Sequence, residues 1–347
     1  MRGVMERYKS YLELGDIRAI SLGEGSTPLI FWDHWGSTDI FLKLEGTNPT
    51  GSFKDRGMTV AVSAALAEGA RAVICASTGN TAASAAAYAA RAGIPAFAVA
   101  PEGKITQEKM LQALAHGATF LTIKGNFDDA LVSVRDAVTH NSALALVNSV
   151  NPYRIRGQES GAYEIVDDLG QAPSAIVLPV GNAGNISAYF AGFRRYGQPI
   201  PHLFGIQAEG ASPLVQGHDF DNPETIATAI RIGKPASKSL ALKAVAESQG
   251  AFLAIPDEEI LQAQKELARG GVYVEPASAT AYAGLKRLRE QNRLPQGPVA
   301  AILTGNGLKD GVTPLKWIDA SSRTIEANQL LNTIQAQMEM TAPHVAH

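Results

Sequence analysis

From about Lys54 onward the chain alternates short apolar runs with stretches of helical spacing, and that alternation limits the fold more than any other feature. Residues 71–76, 95–100, 119–123 and 143–147 have the length and apolar density of buried strands. Between them, 59–68, 81–92, 106–116 and 127–140 carry the apolar spacing and alanine content of helices. Gly69, Gly93 and Gly117 each follow such a stretch, where a left-handed closing residue is wanted. The pattern resumes after Asn151, with strands expected at 175–179, 203–207, 252–255 and 299–303 and helices at 157–168, 186–196, 257–268 and 279–291. Asp257 reads as the cap of its helix, its carboxylate accepting free backbone amides. Strands alternating with helices predict an α/β fold with mainly parallel open sheets covered by helices. A last helix is expected at 325–338, and we assign no catalytic work to the end of the chain.

A length of 347 residues suits two domains. The expected division is a smaller domain, 47–144, inserted into a larger one made from 1–46 and 145–347. The 30 basic and 33 acidic residues leave a formal net charge of −3, which supplies no broad field for a nucleic-acid backbone. Any anion must therefore be caught by a local site. The single cysteine, Cys75, excludes an internal disulfide, fits a reducing compartment and reads as a packing residue of its apolar run. No run approaches the roughly 20 apolar residues of a membrane helix. The first 15 residues lack the apolar core of a signal peptide. The expectation is a cytoplasmic protein with neither nucleic acid nor membrane as partner, and without a metal.

Four segments carry chemistry, each where a strand ends or a helix begins. In an open parallel sheet, ligands bind at that edge. Asn48-Pro49-Thr50-Gly51-Ser52-Phe53-Lys54-Asp55-Arg56-Gly57 brings Lys54 to a helix start, where the helix dipole disfavours a cation. Such a lysine is either paired, with Asp55 or Glu45, or chemically used. Ala76-Ser77-Thr78-Gly79-Asn80-Thr81-Ala82-Ala83-Ser84 runs a strand into small polar residues and an alanine-rich helix, either an anion site or a plain cap. Leu178-Pro179-Val180-Gly181-Asn182-Ala183-Gly184-Asn185 can close backbone amides around a phosphate, though it matches neither a Walker loop nor a dinucleotide fingerprint. Ile302-Leu303-Thr304-Gly305-Asn306-Gly307 ends a strand on a hydroxyl and, alone, reads as a turn.

In that order the four segments resemble the β-family of pyridoxal-phosphate enzymes, fold type II (tryptophan synthase β-like), over nearly the whole chain. The resemblance implies that Lys54 holds the aldehyde of pyridoxal 5′-phosphate as an imine and that Asn80 bonds its ring hydroxyl oxygen. It implies also that Gly181, Asn182, Ala183, Gly184 and Asn185 wrap its phosphate, and that Thr304 faces its pyridine nitrogen.

Within that family the Gly-Asn-Ala-Gly-Asn loop is similar to that of the threonine synthases, as are Gly125-Asn126-Phe127-Asp128-Asp129-Ala130 and Asn148-Ser149-Val150-Asn151-Pro152-Tyr153-Arg154. The last segment places an arginine and short polar residues before a helix, the makings of a second anion site. Thr81, Ser84, Asn148, Ser149, Arg154 and Asn182 are the candidates for binding substrate. The resemblance implies conversion of O-phospho-L-homoserine and water to L-threonine and phosphate, with Lys54 as general base, by a homodimer. The chain departs from the family at Arg156, where an acidic residue is common. A threonine or serine dehydratase of the same fold is the alternative, and a non-catalytic small-anion-binding protein is the alternative from another class. A lysine that forms an imine separates the last from the others.

Overall fold

The computed structural model describes residues 2–103, 107–125, 127–318, 322 and 324–341. The strands are β1 (Leu29–Trp35), β2 (Thr38–Leu44), β3 (Ala72–Ala76), β4 (Ala96–Pro101), β5 (Thr119–Ile123), β6 (Leu144–Leu146), β7 (Ala175–Pro179), β8 (His202–Ala208), β9 (Ala251–Ile255) and β10 (Gly297–Leu303). The helices are α1 (Val4–Arg7), α2 (Lys9–Leu12), α3 (Lys54–Ala67), α4 (Asn80–Ala92), α5 (Gln107–Ala115), α6 (Phe127–His140), α7 (Pro152–Gln158), α8 (Ser160–Leu169), α9 (Gly184–Arg195), α10 (Pro213–Gln216), α11 (Lys238–Glu247), α12 (Asp257–Arg269), α13 (Pro276–Glu290) and α14 (Leu330–Thr341).

Two sheets result. One runs β1-β2-β10-β7-β8-β9, parallel except for the β1–β2 hairpin, and the other runs β5-β4-β3-β6, parallel throughout. Both are covered on two faces, which is why their strands read as continuous apolar runs. Alternate residues of β7 and β10 serve opposite cores. Ala175, Val177, Val299, Ala301 and Leu303 pack with Ile260, Leu267 and Leu285 of α12 and α13. Ile176, Leu178, Ala300 and Ile302 pack with Ile165, Ile186 and Phe193 of α8 and α9. In β3, Val73 and Cys75 meet the alanines of α4, while Ile74 and Ala76 meet Ala130 and Val134 of α6. Each large side chain buried this way stabilises by about 1.5–3 kcal/mol. Met1–Gly311 forms one compact unit and Val312–His347 a second, which contains α14.

Gly69, Gly93 and Gly117 have φ of 89°, 73° and 84°, the left-handed closures expected of them. Some boundaries differ from the sequence reading. Helix α3 begins at Lys54 itself, and the stretch expected at 157–168 is two helices, broken at Glu159. The first of these starts at Pro152, with the Asn151 side chain accepting from the Tyr153 amide at 2.9 Å. Asp257 is not a cap. Pro256 holds that position, and the Asp257 carboxylate instead accepts from Thr225 Oγ1 at 2.5 Å and the Ile226 amide at 2.9 Å. It ties a loop down where a helix start was expected to absorb it. No described helix is long and apolar enough to cross a membrane.

Candidate active site

Strands β3, β7 and β10 all end where the polar segments begin, and three of the four segments are tied together there. The Phe53 amide donates to the Thr304 carbonyl at 3.0 Å, and Ser52 forms an antiparallel bridge with Gly305. The Asn80 amide nitrogen donates to Glu275 Oε1 at 2.9 Å. Lys54, Asn80 and Thr304 therefore share one neighbourhood.

Neither acid expected to neutralise Lys54 does so. Asp55 turns back onto its own turn, accepting from the Thr50 amide at 2.7 Å and Thr50 Oγ1 at 2.6 Å, and takes Ser84 Oγ at 2.6 Å. Glu45 pairs with Arg56 at 2.7 Å inside a buried network that includes Glu164, Lys43 and Thr27. The Lys54 side chain keeps partial exposure, and its nitrogen lies 4.1 Å from the Phe53 ring centroid. Burial, reinforced by the Arg154 charge, pushes its pKa down to about 7 against the pull of Glu275. A lysine so placed is a nucleophile and base at neutral pH.

Arg154 is fully buried, which removes its reading as half of a surface ion pair. Its Nη1 donates to the Val147 carbonyl at 2.7 Å, while Nε and Nη2 have no acceptor among the described residues. Burial holds its pKa down at about 10. Two glycines bring this helix against that of Lys54. A Cβ on Gly57 would stand 2.5 Å from the Arg154 carbonyl oxygen, and one on Gly157 would overlap the Arg56 carbonyl oxygen. Of the other substrate candidates, Asn148 is taken up by both backbone groups of Ala76, at 2.9 and 3.1 Å, and Ser84 by Asp55. Thr81 and Ser149 are half-buried. Asn126 lies outside the described residues.

The glycine loop is built by different neighbours. The Ala183 backbone is left-handed, with φ of 66°, and opens α9. Asn182 accepts from Ser237 through its carbonyl at 3.1 Å and from Ala236 through its side chain at 3.3 Å. A Cβ on Gly181 would meet Ile230 Cα at 3.0 Å, whereas one on Gly184 would meet nothing nearer than Ser237 Oγ at 3.9 Å. The Asn185 side-chain nitrogen is buried without a partner. An orphan donor at a helix N-terminus suits a phosphate. Together with the low-pKa Lys54, it makes the residues present fit pyridoxal phosphate.

Two neighbours escaped the sequence reading. Ser278 Oγ lies 3.1 Å from Thr304 Oγ1 and accepts from the Gly305 amide at 2.7 Å. Glu275 is buried beside Lys54. Both sit at the start of α13, where a small polar residue and an acid look like routine helix-start chemistry. Glu275-Pro276 ahead of an alanine-rich helix was the available signal. Cys75 is buried, and its thiol is pushed up to about 12, consistent with a packing role. No group of three His, Cys, Asp or Glu able to hold a metal occurs among the described residues.

With that geometry in view, the comparisons define the class: residues 20–305 match the family described as pyridoxal-phosphate dependent enzyme, and the chain belongs to it. Within the family it groups with the threonine synthases. It is 50% identical to the threonine synthase of Halalkalibacterium halodurans, over 92% of this chain and 93% of that one. It is 53% identical to the threonine synthase of Mycobacterium tuberculosis over 90% of each, and 45% identical to that of Methanocaldococcus jannaschii over 95% and 85%. Among solved structures it resembles a bacterial threonine deaminase, that of T.th., with a TM-score of 0.70, 25% identity and coverage of 92% and 97%. Maize serine racemase shares the fold, with a TM-score of 0.73, 20% identity and coverage of 97% and 96%.

Proposed function

We propose that this enzyme takes O-phospho-L-homoserine as its substrate, adding water and releasing phosphate to give L-threonine. The observation that carries the reading is Arg154, a fully buried guanidinium with two donor positions unpartnered. An uncompensated buried cation is costly unless an anion completes it. It lies close enough to Lys54 to depress that lysine's pKa. A substrate phosphate suits those donors; a dehydratase acting on a free hydroxyl has no use for them.

When bound, pyridoxal phosphate supplies an electron sink for charge developing at the substrate α carbon. Lys54, neutral in a large fraction of molecules near pH 7, is the anchor for that cofactor and then the base that takes the α proton. Gly181, Asn182, Ala183, Gly184 and Asn185 hold the cofactor phosphate and Asn80 its ring hydroxyl. Thr304, paired with Ser278, presents hydroxyls rather than a carboxylate to the ring nitrogen. Arg154, with Thr81 and Ser149, holds the departing phosphate. A homodimer in the cytoplasm completes the reading, and sedimentation of the purified holoenzyme by analytical ultracentrifugation checks the dimer.

Product analysis with O-phospho-L-homoserine tests the function. Threonine and phosphate should appear in equal amounts. Conversion of threonine to an oxo acid, with O-phospho-L-homoserine untouched, would move the chain to the dehydratases.

A further inference from the structure

Glu275 stands at the N-terminus of the 15-residue helix α13 but makes no side-chain cap to it. A carboxylate there would ordinarily accept the free amides of the first turn and gain from the helix dipole. Instead its side chain turns to Asn80, with Oε1 receiving the amide nitrogen at 2.9 Å. The fold makes room for this choice at Gly305. A Cβ there would overlap Glu275 Oε1, and the Gly305 carbonyl accepts the Glu275 amide at 3.2 Å. The residue is 7% exposed, so the carboxylate gives up most of its hydration for this position. A glutamine would link α4 to α13 as well, without an ionisable group to bury.

The charged groups facing Glu275 are Lys54 from α3 and Lys309 and Asp310 from the turn after β10. We propose that Glu275 is a positioning residue of this site: its carboxylate orients the Asn80 amide and, through its charge beside Lys54, sets how tightly that lysine holds its proton. Ionised Glu275 favours the ammonium; protonated Glu275 releases the neutral amine. Burial pushes the Glu275 carboxyl up to about 7, where Lys54 also lies, so one proton is shared between the two near neutrality.

The inference rests on the reading of Lys54 as the cofactor lysine, and the two fail separately. In protein stripped of cofactor, the pH dependence of Lys54 labelling by an amine-acylating reagent, followed by peptide mapping, reads the ionisation of Lys54 directly. Glu275→Gln keeps the acceptor for Asn80 and removes the charge. The labelling midpoint should move to lower pH by roughly half a unit, about threefold in rate on the acid side. Glu275→Asp keeps a charge and breaks the link to Asn80, so its midpoint should stay near wild type, which also covers a glutamine variant that fails to fold. A midpoint unmoved in Glu275→Gln, or moved fully in Glu275→Asp, overturns the proposal and leaves Glu275 a structural link. Pyridoxal phosphate that protects some other lysine from the label overturns the Lys54 reading instead.

Discussion

Arg154 spends one side of its guanidinium on Val147, at 2.7 Å to the carbonyl, and leaves the other two donor positions empty inside the protein. The bond to Val147, at the end of the smaller sheet, fixes the direction of the fork. A structural arginine in this fold looks different. Arg56, equally buried, spends its guanidinium on Glu45, Glu164, Ser160 and Thr27. The contrast between two buried arginines of adjoining helices separates the one that holds the fold from the one that awaits an anion.

Arg154→Ala should therefore weaken O-phospho-L-homoserine by about one to two powers of ten, the worth of a charge-assisted pair of roughly 1.5–3 kcal/mol. Inorganic phosphate should lose a similar factor as a competitor. The cofactor absorption band should not change, because the cofactor phosphate has its own loop. Steady-state kinetics with both anions check this, and unchanged KM and inhibition constants would remove Arg154 from the substrate site.

Gly157→Ala tests the same site without touching it. The added methyl would run into the Arg56 carbonyl and stand 2.8 Å from Val60 Cγ2, forcing α7 away from α3. Overpacking of this kind costs about 1–3 kcal/mol. Thermal melting should show that loss, and KM for O-phospho-L-homoserine should rise as Arg154 shifts from Lys54. A melting loss with unaltered KM would mean that the helix contact does not position Arg154.

Much of this was legible in the sequence. The strands at 72–76, 119–123 and 175–179, and the landing of Lys54, Asn80 and Thr304 at strand ends, follow from apolar runs that stop on small polar residues. What escaped has a physical reason in each case. The β1–β2 hairpin mixes Trp, Asp and His along a strand with one exposed side, so neither alternation nor a solid apolar run marks it. Asn148 looked like a ligand because short polar residues before a helix do so; its amide instead substitutes for a missing strand partner at Ala76. Ser84 lies on the expected face but meets Asp55, a contact set by how α3 and α4 cross. Glu275 is invisible from sequence because only the fold brings it within reach of Asn80, 195 positions away.

The buried network around Arg56 predicts how the protein fails in acid. Burial acts to raise the Glu164 pKa, but Arg56 and Lys43 outweigh it and hold the carboxyl at about 2, below its usual 4.5. A depressed carboxyl contributes stability that is complete above the unfolded pKa and is lost as pH falls from about 4.5 toward 2. Urea unfolding across that window should show the loss, and Glu164→Gln should flatten that part of the profile. Arg56→Met should be far worse, by about 3–5 kcal/mol, since it strands two buried carboxylates. An equal acid slope in wild type and Glu164→Gln would place the titrating group elsewhere.

Lys54 gives the opposite sign. Its native pKa, about 7, lies below the ordinary 10.5, so between those values the unfolded chain holds a proton that the folded one has released. Stability of the cofactor-free protein should therefore rise with pH from about 7 to 10.5 through this group, and be indifferent to it below 7. Glu275, raised from 4.5 to about 7, does the reverse: the folded protein holds the extra proton, and its contribution falls as pH climbs through that lower window. Lys54→Met should erase the alkaline rise and leave the acid-side fall in place. Chemistry should follow the same proton. Capture of pyridoxal phosphate needs the neutral amine, so its rate in the stripped protein should climb about tenfold per pH unit up to 7 and then level off. A rate that keeps climbing toward pH 10 would show a lysine of ordinary basicity, and the enclosure that prepares Lys54 for catalysis would have to be abandoned.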